Sequence, residues 1–437
     1  MARRLPSPLL AAALLCLTGL KIPSSAAAYG NSPALVRLEA LAGVADPAPA
    51  ATPLCPVQAA SQGEKPPGLP PFVFSGQADI AALIASSIDN SRTSVEAALY
   101  GLTLQGVAEA LVRAKNRGVA VRVIMNESHA LYRRSREVQF LLDNGVKIRT
   151  LRGSSKYGIM HNKLAIFDSR AIVTGSFNWS TTANTINHEN AIFNSEDAMV
   201  KGYRNYWNWM WTHTRAVSEG PGPEVPYEGY GPPPADPDPS VNFNGAVFPS
   251  YSFSPAGPTQ MNLLTALKAA EKSVDAAVFS FYSQSVADAL VEAHERGVRV
   301  RIVVDKLQGN GSPLTKFLLD NGIKLKWSQG PGAKGVMHHK FAVFDGKMLE
   351  TGSHNWTGNA QYNNFENVFY SVRPLYAGGY SAEFEKIYAA ATIPTPAELE
   401  LILTRPSDSF PDCSGSRTGL ITGDFSDDPS YDLEPSY

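Results

Sequence analysis

The sequence predicts an α/β protein built twice over, each half a sheet covered by helices on both faces. Three observations predict it. Stretches with helical and strand periodicity alternate along the chain. Their order recurs 177 to 179 positions later. Between the two series, residues 221–240 hold eight prolines and three glycines, the composition of a semi-rigid linker or surface loop.

The first series begins near Phe72. Residues 79–88 read as a helix, and 94–100 (SVEAALY) as a buried strand. An amphipathic helix over 107–117 is stopped by Gly118. Residues 119–125 alternate as a strand does, 138–143 are helical up to Asn144-Gly145, and 146–151 form a further strand. The second series matches: 273–279 (SVDAAVF) and 286–296 lie 179 positions on, and FLLDNG at 317–322 lies 177 on. The two-residue change falls in the loop between, where insertions are tolerated, so a whole domain was duplicated. Two such units can pack about a pseudo-twofold axis, as homodimers do.

The expected organisation is a leader at 1–28, an Ala/Pro-rich lead-in at 29–70, a first domain at 71–217 and a linker at 218–247. A second domain follows at 248–395, then an acidic tail at 396–437. Arg3 and Arg4, an apolar run from Leu9 to Leu20 and small residues 24–28 read as a cleaved secretory signal, implying a secreted or periplasmic protein. After cleavage Cys55 and Cys413 remain. Two readings stand for them, a disulfide between the chain ends or two separate thiols. Net charge is −2, which excludes a polybasic membrane arm and leaves room for a local basic cleft.

The polar residues repeat more faithfully than the apolar ones. His161, Lys163, Asp168, Gly175, Ser176, Asn178, Trp179, Glu189 and Asn190 recur as His338, Lys340, Asp345, Gly352, Ser353, Asn355, Trp356, Glu366 and Asn367, each 177 positions later. A packing repeat would keep the apolar pattern and let these drift, so chemistry explains them better. Residues 163–168 and 340–345 read as strands, on which alternate side chains share a face. His161 therefore points with Lys163, and His338 with Lys340. A fixed cation beside an imidazole suits an anionic substrate, with the His as nucleophile or proton carrier. Asn178 and Asn355, after the Gly-Ser turns of Ser176 and Ser353, are placed to bind the same oxyanion. Glu189 and Glu366 are candidates to hold the second ring nitrogen of a His, and Asp168 and Asp345, at a strand end, are candidates to fix a local turn or the neighbouring domain's site. Ser180, Thr181 and Thr357 would begin short helices. A zinc site is disfavoured: a lysine sits beside each His, and no paired Cys or helical His spacing accompanies them. Trp179, Trp356 and the cluster Tyr203, Tyr206, Trp207, Trp209, Trp211 read as core, and the unmatched histidines as incidental.

H-x-K-x4-D followed by G-S-x-N, present twice, resembles the phospholipase D superfamily over about residues 72–395. The resemblance implies an αβα sandwich per repeat and one active site where the two motifs meet. It implies metal-independent phosphodiester hydrolysis through a phosphohistidine, with no cofactor. His161 would be the nucleophile and His338 the general acid, an order that pseudo-symmetry leaves open. Lys163, Lys340, Asn178, Asn355, Ser176 and Ser353 would bind the phosphoryl oxygens. Glu189 and Glu366 match the family's His-orienting acids, and Asp168 and Asp345 complete the catalytic set by supporting its geometry. A phospholipase D leaving phosphatidic acid is the favoured reading. A secreted or periplasmic endonuclease is the alternative, supported by the basic stretch from Arg122 to Lys156, and a non-catalytic phosphate-binding module is the third class. The fused half-sites imply a monomer.

Overall fold

The computed structural model describes residues 68–235, 240–332 and 334–403. The expected leader, nearly all of the lead-in, the Cys55–Cys413 pair and the acidic tail past 403 lie outside the described residues.

The first half runs β1 (Phe72–Phe74), α1 (Ile80–Asn90), β2 (Ser94–Leu99), α2 (Gln105–Asn116), β3 (Ala120–Asn126), α3 (Glu127–Leu131), α4 (Arg136–Asp143) and β4 (Lys147–Leu151). It continues with β5 (Lys163–Phe167), β6 (Ala171–Gly175), α5 (Thr181–Thr185), β7 (Asn190–Asn194), α6 (Asp197–Thr212) and β8 (Arg215–Ala216). A hairpin of β9 (Ser240–Phe243) and β10 (Ala246–Pro249) follows. The second half has β11 (Tyr251–Ser254), α7 (Thr259–Ala269), β12 (Ser273–Val278), α8 (Gln284–Glu295), β13 (Arg299–Asp305), α9 (Lys306–Gly311), α10 (Pro313–Asp320) and β14 (Lys324–Ser328). It ends with β15 (Lys340–Phe344), β16 (Met348–Gly352), α11 (Gly358–Tyr362), β17 (Glu366–Ser371), α12 (Pro374–Ala390) and α13 (Pro396–Leu403).

The first sheet has the order β1-β7-β6-β5-β2-β3-β4-β8, and the second β11-β17-β16-β15-β12-β13-β14. In each, three strands run parallel (β2, β3, β4; β12, β13, β14), joined by helical crossovers, and the rest are antiparallel. Parallel neighbours need such crossovers, which is why helix and strand periods alternate in the sequence. One face of each sheet packs on its own helices, with Ile84, Leu111 and Leu141 in one core and Leu267, Leu290 and Leu318 in the other. The opposite faces share a third core, in which α6 and α12 bury Tyr203, Trp207, Tyr380 and Phe384 between residues of both sheets. Helices thus cover both faces of each sheet, as the alternation predicts.

Two segments differ from expectation. The last residues of the supposed linker form the β9–β10 hairpin, turned by Asn244 and Gly245, both with positive φ. An Asn-Gly turn between two short runs is a hairpin signal, and the Pro-rich flank masks it. Val241, Phe243 and Phe248 insert into the second core. The supposed tail begins with a helix, α13. Thr395 caps it by accepting from the Glu398 amide at 3.3 Å, and Glu398 pairs with Lys306 at 3.2 Å.

Candidate active site

β5 and β15 are the strands that carry the repeated His and Lys, and each starts where the parallel strand beside it ends. Lys163 sits opposite Leu99 and Lys340 opposite Val278. Both histidines and both lysines are buried. Each lysine Nζ donates to the carbonyl two residues back, Lys163 to His161 at 2.7 Å and Lys340 to His338 at 2.8 Å. This fixes the cation beside its imidazole.

The glutamates act across the repeats. His161 Nδ1 meets Glu366 Oε1 at 2.9 Å, and His338 Nδ1 meets Glu189 Oε1 at 2.8 Å. Each His is therefore held by the acid of the other half. The chain paths enforce the crossing. Met160 bridges Phe365, and Met337 bridges His188, so the residue before each His lies beside the residue before the opposite Glu. Thr174 Oγ1 donates to Asn367 Oδ1 at 2.7 Å, and Thr351 Oγ1 to Asn190 Oδ1 at 3.2 Å, which ties the halves again.

Ser176 and Ser353 do not serve as expected. Ser176 Oγ donates to Glu189 Oε2 at 2.7 Å, and Ser353 Oγ to Glu366 Oε2 at 2.6 Å. A hydroxyl has one proton to give, so these serines brace the glutamates rather than bind a phosphate. Gly175 and Gly352 make the approach possible. A Cβ on either would lie 2.4 or 2.1 Å from the carbonyl oxygen of Asn190 or Asn367.

Asp168 and Asp345 fix local turns, one of the readings their place at a strand end left open, and do not support the reacting groups as the resemblance implies. They sit at the far end of β5 and β15, five residues from the lysines and so roughly 16 Å away along a strand. Asp168 accepts from the amides of Arg92, Thr93 and Ser94 at 2.7 to 3.0 Å. Asp345 accepts from Lys272 and Ser273 at 2.7 and 2.8 Å and from the Asn244 side chain at 2.7 Å. Burial raises both carboxyls, but these donors outweigh it and hold them below the usual range. They fasten the helix-to-strand turns at the opposite edge of each sheet and do not reach the imidazoles.

Burial likewise opposes ionisation of Glu366. The His161 ring, then Lys163 and His354, outweigh it and keep the carboxyl below its ordinary range. Asn178 is buried and Asn355 half-buried on the turns after the serines. Trp179 and Trp356 are buried packing residues, as expected. Ser180 and Thr357 cap α5 and α11, accepting from Ala183 and Ala360 at 3.3 and 3.1 Å.

Several neighbours escaped the sequence reading. Tyr100 sets its ring edge-on to His161 at 5.2 Å, and Phe279 does the same to His338 at 4.7 Å. Asn126 Oδ1 accepts from the Met160 amide at 3.1 Å, and its counterpart Asp305 accepts from Met337 at 2.9 Å. These positions share the repeat register but change identity, so a search for repeated identity passes over them. The unmatched histidines are not all incidental. Burial holds His354 near 4, with charge effects from Glu366 and His161, and holds His188 near 4 beside His339 and Glu383.

His188, His339 and Glu383 offer ligand atoms within 4.8 Å of one another. Metal ligation fits them poorly. Tyr380 and Thr351 hydroxyls donate to Asn190 Oδ1, which turns the Asn190 amide nitrogen toward His339 Nδ1 at 3.0 Å. Nδ1 then accepts, and Nε2 carries the proton. A metal-bound imidazole needs the reverse, a donor nitrogen facing an acceptor.

The profile of the family described as "Cardiolipin synthase, PLD-like domain" matches residues 84–211 and 263–388. The chain belongs to this phospholipase D-like family. Human mitochondrial cardiolipin hydrolase is 43% identical over 128 residues, 29% of this chain and 49% of its own length. A phospholipase D of Rickettsia felis is 31% identical over 137 residues, 31% of this chain and 65% of its own. The chain thus spans about half to two-thirds of the length of these curated relatives. A Haemophilus influenzae phosphatidylserine synthase structure aligns with a TM-score of 0.56 at 12% identity, covering 76% of this chain and 92% of that one, a likeness of fold.

One expectation falls with these matches. Relatives from human, frog, mouse and alga are named mitochondrial, so the secreted or periplasmic assignment is withdrawn. The first 38 residues hold Arg3 and Arg4 and no acidic residue, a composition that does not by itself separate secretory from organellar targeting segments. Among the described residues no helix is long and apolar enough to cross a membrane.

Proposed function

We propose that this phospholipase D-like chain is a phosphodiesterase that hydrolyses a phospholipid headgroup bond and leaves phosphatidic acid. The observation that carries the reading is the crossed pair of His–Glu–Ser relays. Each glutamate fixes its imidazole through Nδ1, which directs the chemistry of the ring to Nε2. The names of the relatives, cardiolipin hydrolase and phospholipase D, support a lipid phosphodiester.

In the proposed reaction, neutral His161 attacks phosphorus through Nε2, forming a P–N bond as the P–O bond to the leaving alcohol breaks. Protonated His338 gives its proton to that oxygen. Neutral His338 then takes a proton from water, the water oxygen attacks phosphorus, and the P–N bond breaks to release the phosphate monoester. Lys163, Lys340, Asn178 and Asn355 bind the phosphoryl oxygens, where charge builds up in the transition state. Asp305 beside the His338 strand, where the first half has neutral Asn126, favours the proton on His338 and this order of roles. One chain holds both half-sites, so a monomer suffices.

The second reading is a nuclease, favoured by the basic stretch around Arg133, Arg152 and Lys156. Purified protein assayed side by side should release headgroup from phosphatidylcholine or cardiolipin vesicles, undiminished by excess chelator, and leave single-stranded DNA intact. DNA cleavage without headgroup release would overturn the lipid assignment. Loss of activity with chelator would overturn the metal-free mechanism.

A further inference from the structure

The helix-covered cores of the two halves follow one plan and differ in polarity at one place. In the first half Val73 of β1, Ile80 and Leu83 of α1, Val173 of β6 and Phe193 of β7 pack in a single apolar core. Their counterparts, 177 or 179 positions later, are Ser252, Thr259, Asn262, Glu350 and Tyr370. These lie on β11, α7, β16 and β17. Apolar side chains on four neighbouring elements have thus become polar together, which isolated drift in a core would not produce.

The exchanged residues meet around Tyr370. Glu350 lies directly opposite it in the β16–β17 ladder. Ser252 lies opposite Val368, which makes it a diagonal neighbour of Tyr370 on the same face of the sheet. The phenol reaches across to α7, where its hydroxyl donates to the Thr259 carbonyl at 3.4 Å. Burial pushes the Tyr370 phenol well up, nearby Glu350 adds to this, and Ser252 and Asn262 near the hydroxyl oppose it. Ser252, Thr259, Glu350 and Tyr370 are buried, and Asn262 is half-buried. Ser252 Oγ, Thr259 Oγ1, Asn262 Nδ2 and Glu350 Oε2 have no hydrogen-bond partner among the described residues. Buried polar atoms are seldom left unpaired, and a group of them in one cluster calls for a ligand.

We propose that this cluster binds a monovalent alkali cation, with the Glu350 carboxylate as its charged ligand and the Ser252, Thr259 and Tyr370 hydroxyls as neutral ones. Oxygen donors suit a hard cation. One carboxylate balances one positive charge, whereas a divalent ion would leave net charge in an apolar core. Burial acts on the Glu350 carboxyl, and no cationic side chain among the described residues offsets it. The bound cation takes the place of the carboxyl proton. A protonated carboxyl alone needs one donor and one acceptor, and a shell of hydroxyls around it is more than that requires. Asn262 can add its amide oxygen by a half-turn of the amide. The ion ties β11, α7, β16 and β17 to one point, just before β16 delivers Ser353 to Glu366.

The test is cation-specific stability. Urea midpoints of the purified full chain are measured above neutral pH at constant ionic strength, while sodium or potassium chloride replaces tetramethylammonium chloride. A ligand held only by the folded chain stabilises it with the logarithm of ligand concentration, about 1.4 kcal/mol for each tenfold once the site fills. Wild type should show this rise with sodium, potassium or both, and Glu350→Gln should lose it. Thr259→Val keeps the shape of the side chain and removes one oxygen, so it should weaken the apparent affinity several-fold. It decides alone if Glu350→Gln does not fold. Equal midpoints in all three salts mean that the carboxyl is neutralised by its proton, and overturn the cation site. A sodium or potassium response that both variants retain in full places the ion elsewhere and overturns it as well.

Discussion

The two halves of this molecule agree at the reacting atoms and part company immediately behind them. Behind His161 stand Asn162, whose amide donates to Tyr206 at 3.2 Å, and Asn126. At the corresponding positions behind His338 stand His339, 3.9 Å from Glu383, and Asp305. One imidazole is backed by neutral amides and a phenol, the other by carboxyls. Duplication supplied two identical half-sites, and the residues behind them differentiated the pair. A two-histidine mechanism requires this, since one ring must attack while the other holds a proton.

The largest expected effects break the pair. His161→Ala and His338→Ala should each cut kcat by on the order of 10³-fold or more. They should differ in one respect. His338→Ala should accumulate phosphoenzyme with a substrate bearing an activated leaving group, and His161→Ala should form none. Acid-quench labelling would show it, and labelled His161→Ala protein would reverse the assigned roles.

Next in size is the crossing. Glu366→Gln should behave as a His161 lesion and Glu189→Gln as a His338 lesion, each costing about 10² to 10⁴ in kcat because the acid sets the tautomer and orientation of the ring. The same labelling assay separates them. If Glu189→Gln instead abolishes labelling while Glu366→Gln retains it, the relays are not crossed in solution.

A third test uses stability and a position where the halves differ outright. Val173 in the first sheet is matched by Glu350 in the second, fully buried, with its carboxyl pushed up to about 8 by burial. Its folded pKa is raised, so its contribution is intact below the unfolded value. It is lost as pH climbs toward 8, because only the unfolded chain releases the proton. From pH 5 to pH 8 that removes about 3 kcal/mol. Glu350→Gln should flatten this slope in urea unfolding at the two pH values. An equal slope in wild type and variant would count against a protonated Glu350.

Smaller still is Asp305→Asn, which makes the second half resemble the first. Burial pushes Asp305 up to about 6 against the Met337, Gln308 and Leu307 amides and the His338 charge. Above that pH its negative charge helps His338 keep a proton. Its removal should move the alkaline limb of the kcat/KM profile down by about half a unit to one unit. An unmoved limb would leave the proton order to some other asymmetry. Asp168→Ala sharpens the contrast from outside the site, costing about 1 to 2 kcal/mol of stability through three orphaned amides with kcat retained.

Much was legible in the sequence because it was written twice. Periodicity and the recurrence of SVEAALY as SVDAAVF located β2 and β12, and the fixed register of His161 and His338 with their lysines located the reacting groups. The Asn244-Gly245 hairpin was obscured by the prolines before it, and α13 by the acidic residues after it. Asp168 and Asp345 repeat as faithfully as the histidines. Repetition reports that a residue is needed, not where its side chain goes; a place at a strand end left a local turn open, and the amides of Arg92, Thr93 and Ser94 show that Asp168 takes it.

The sequence by itself determined which residues react, since their types and spacing are local properties of a strand and its following turn. It could not determine who holds whom. Glu366 lies 205 positions from His161, and that contact exists because two sheets pack face to face through α6 and α12. Strand order within each half turned Ser176 and Ser353 toward the glutamates and set Asp305 beside one histidine and Asn126 beside the other. Pairings across a packed interface follow from burying apolar faces, which chain order does not encode.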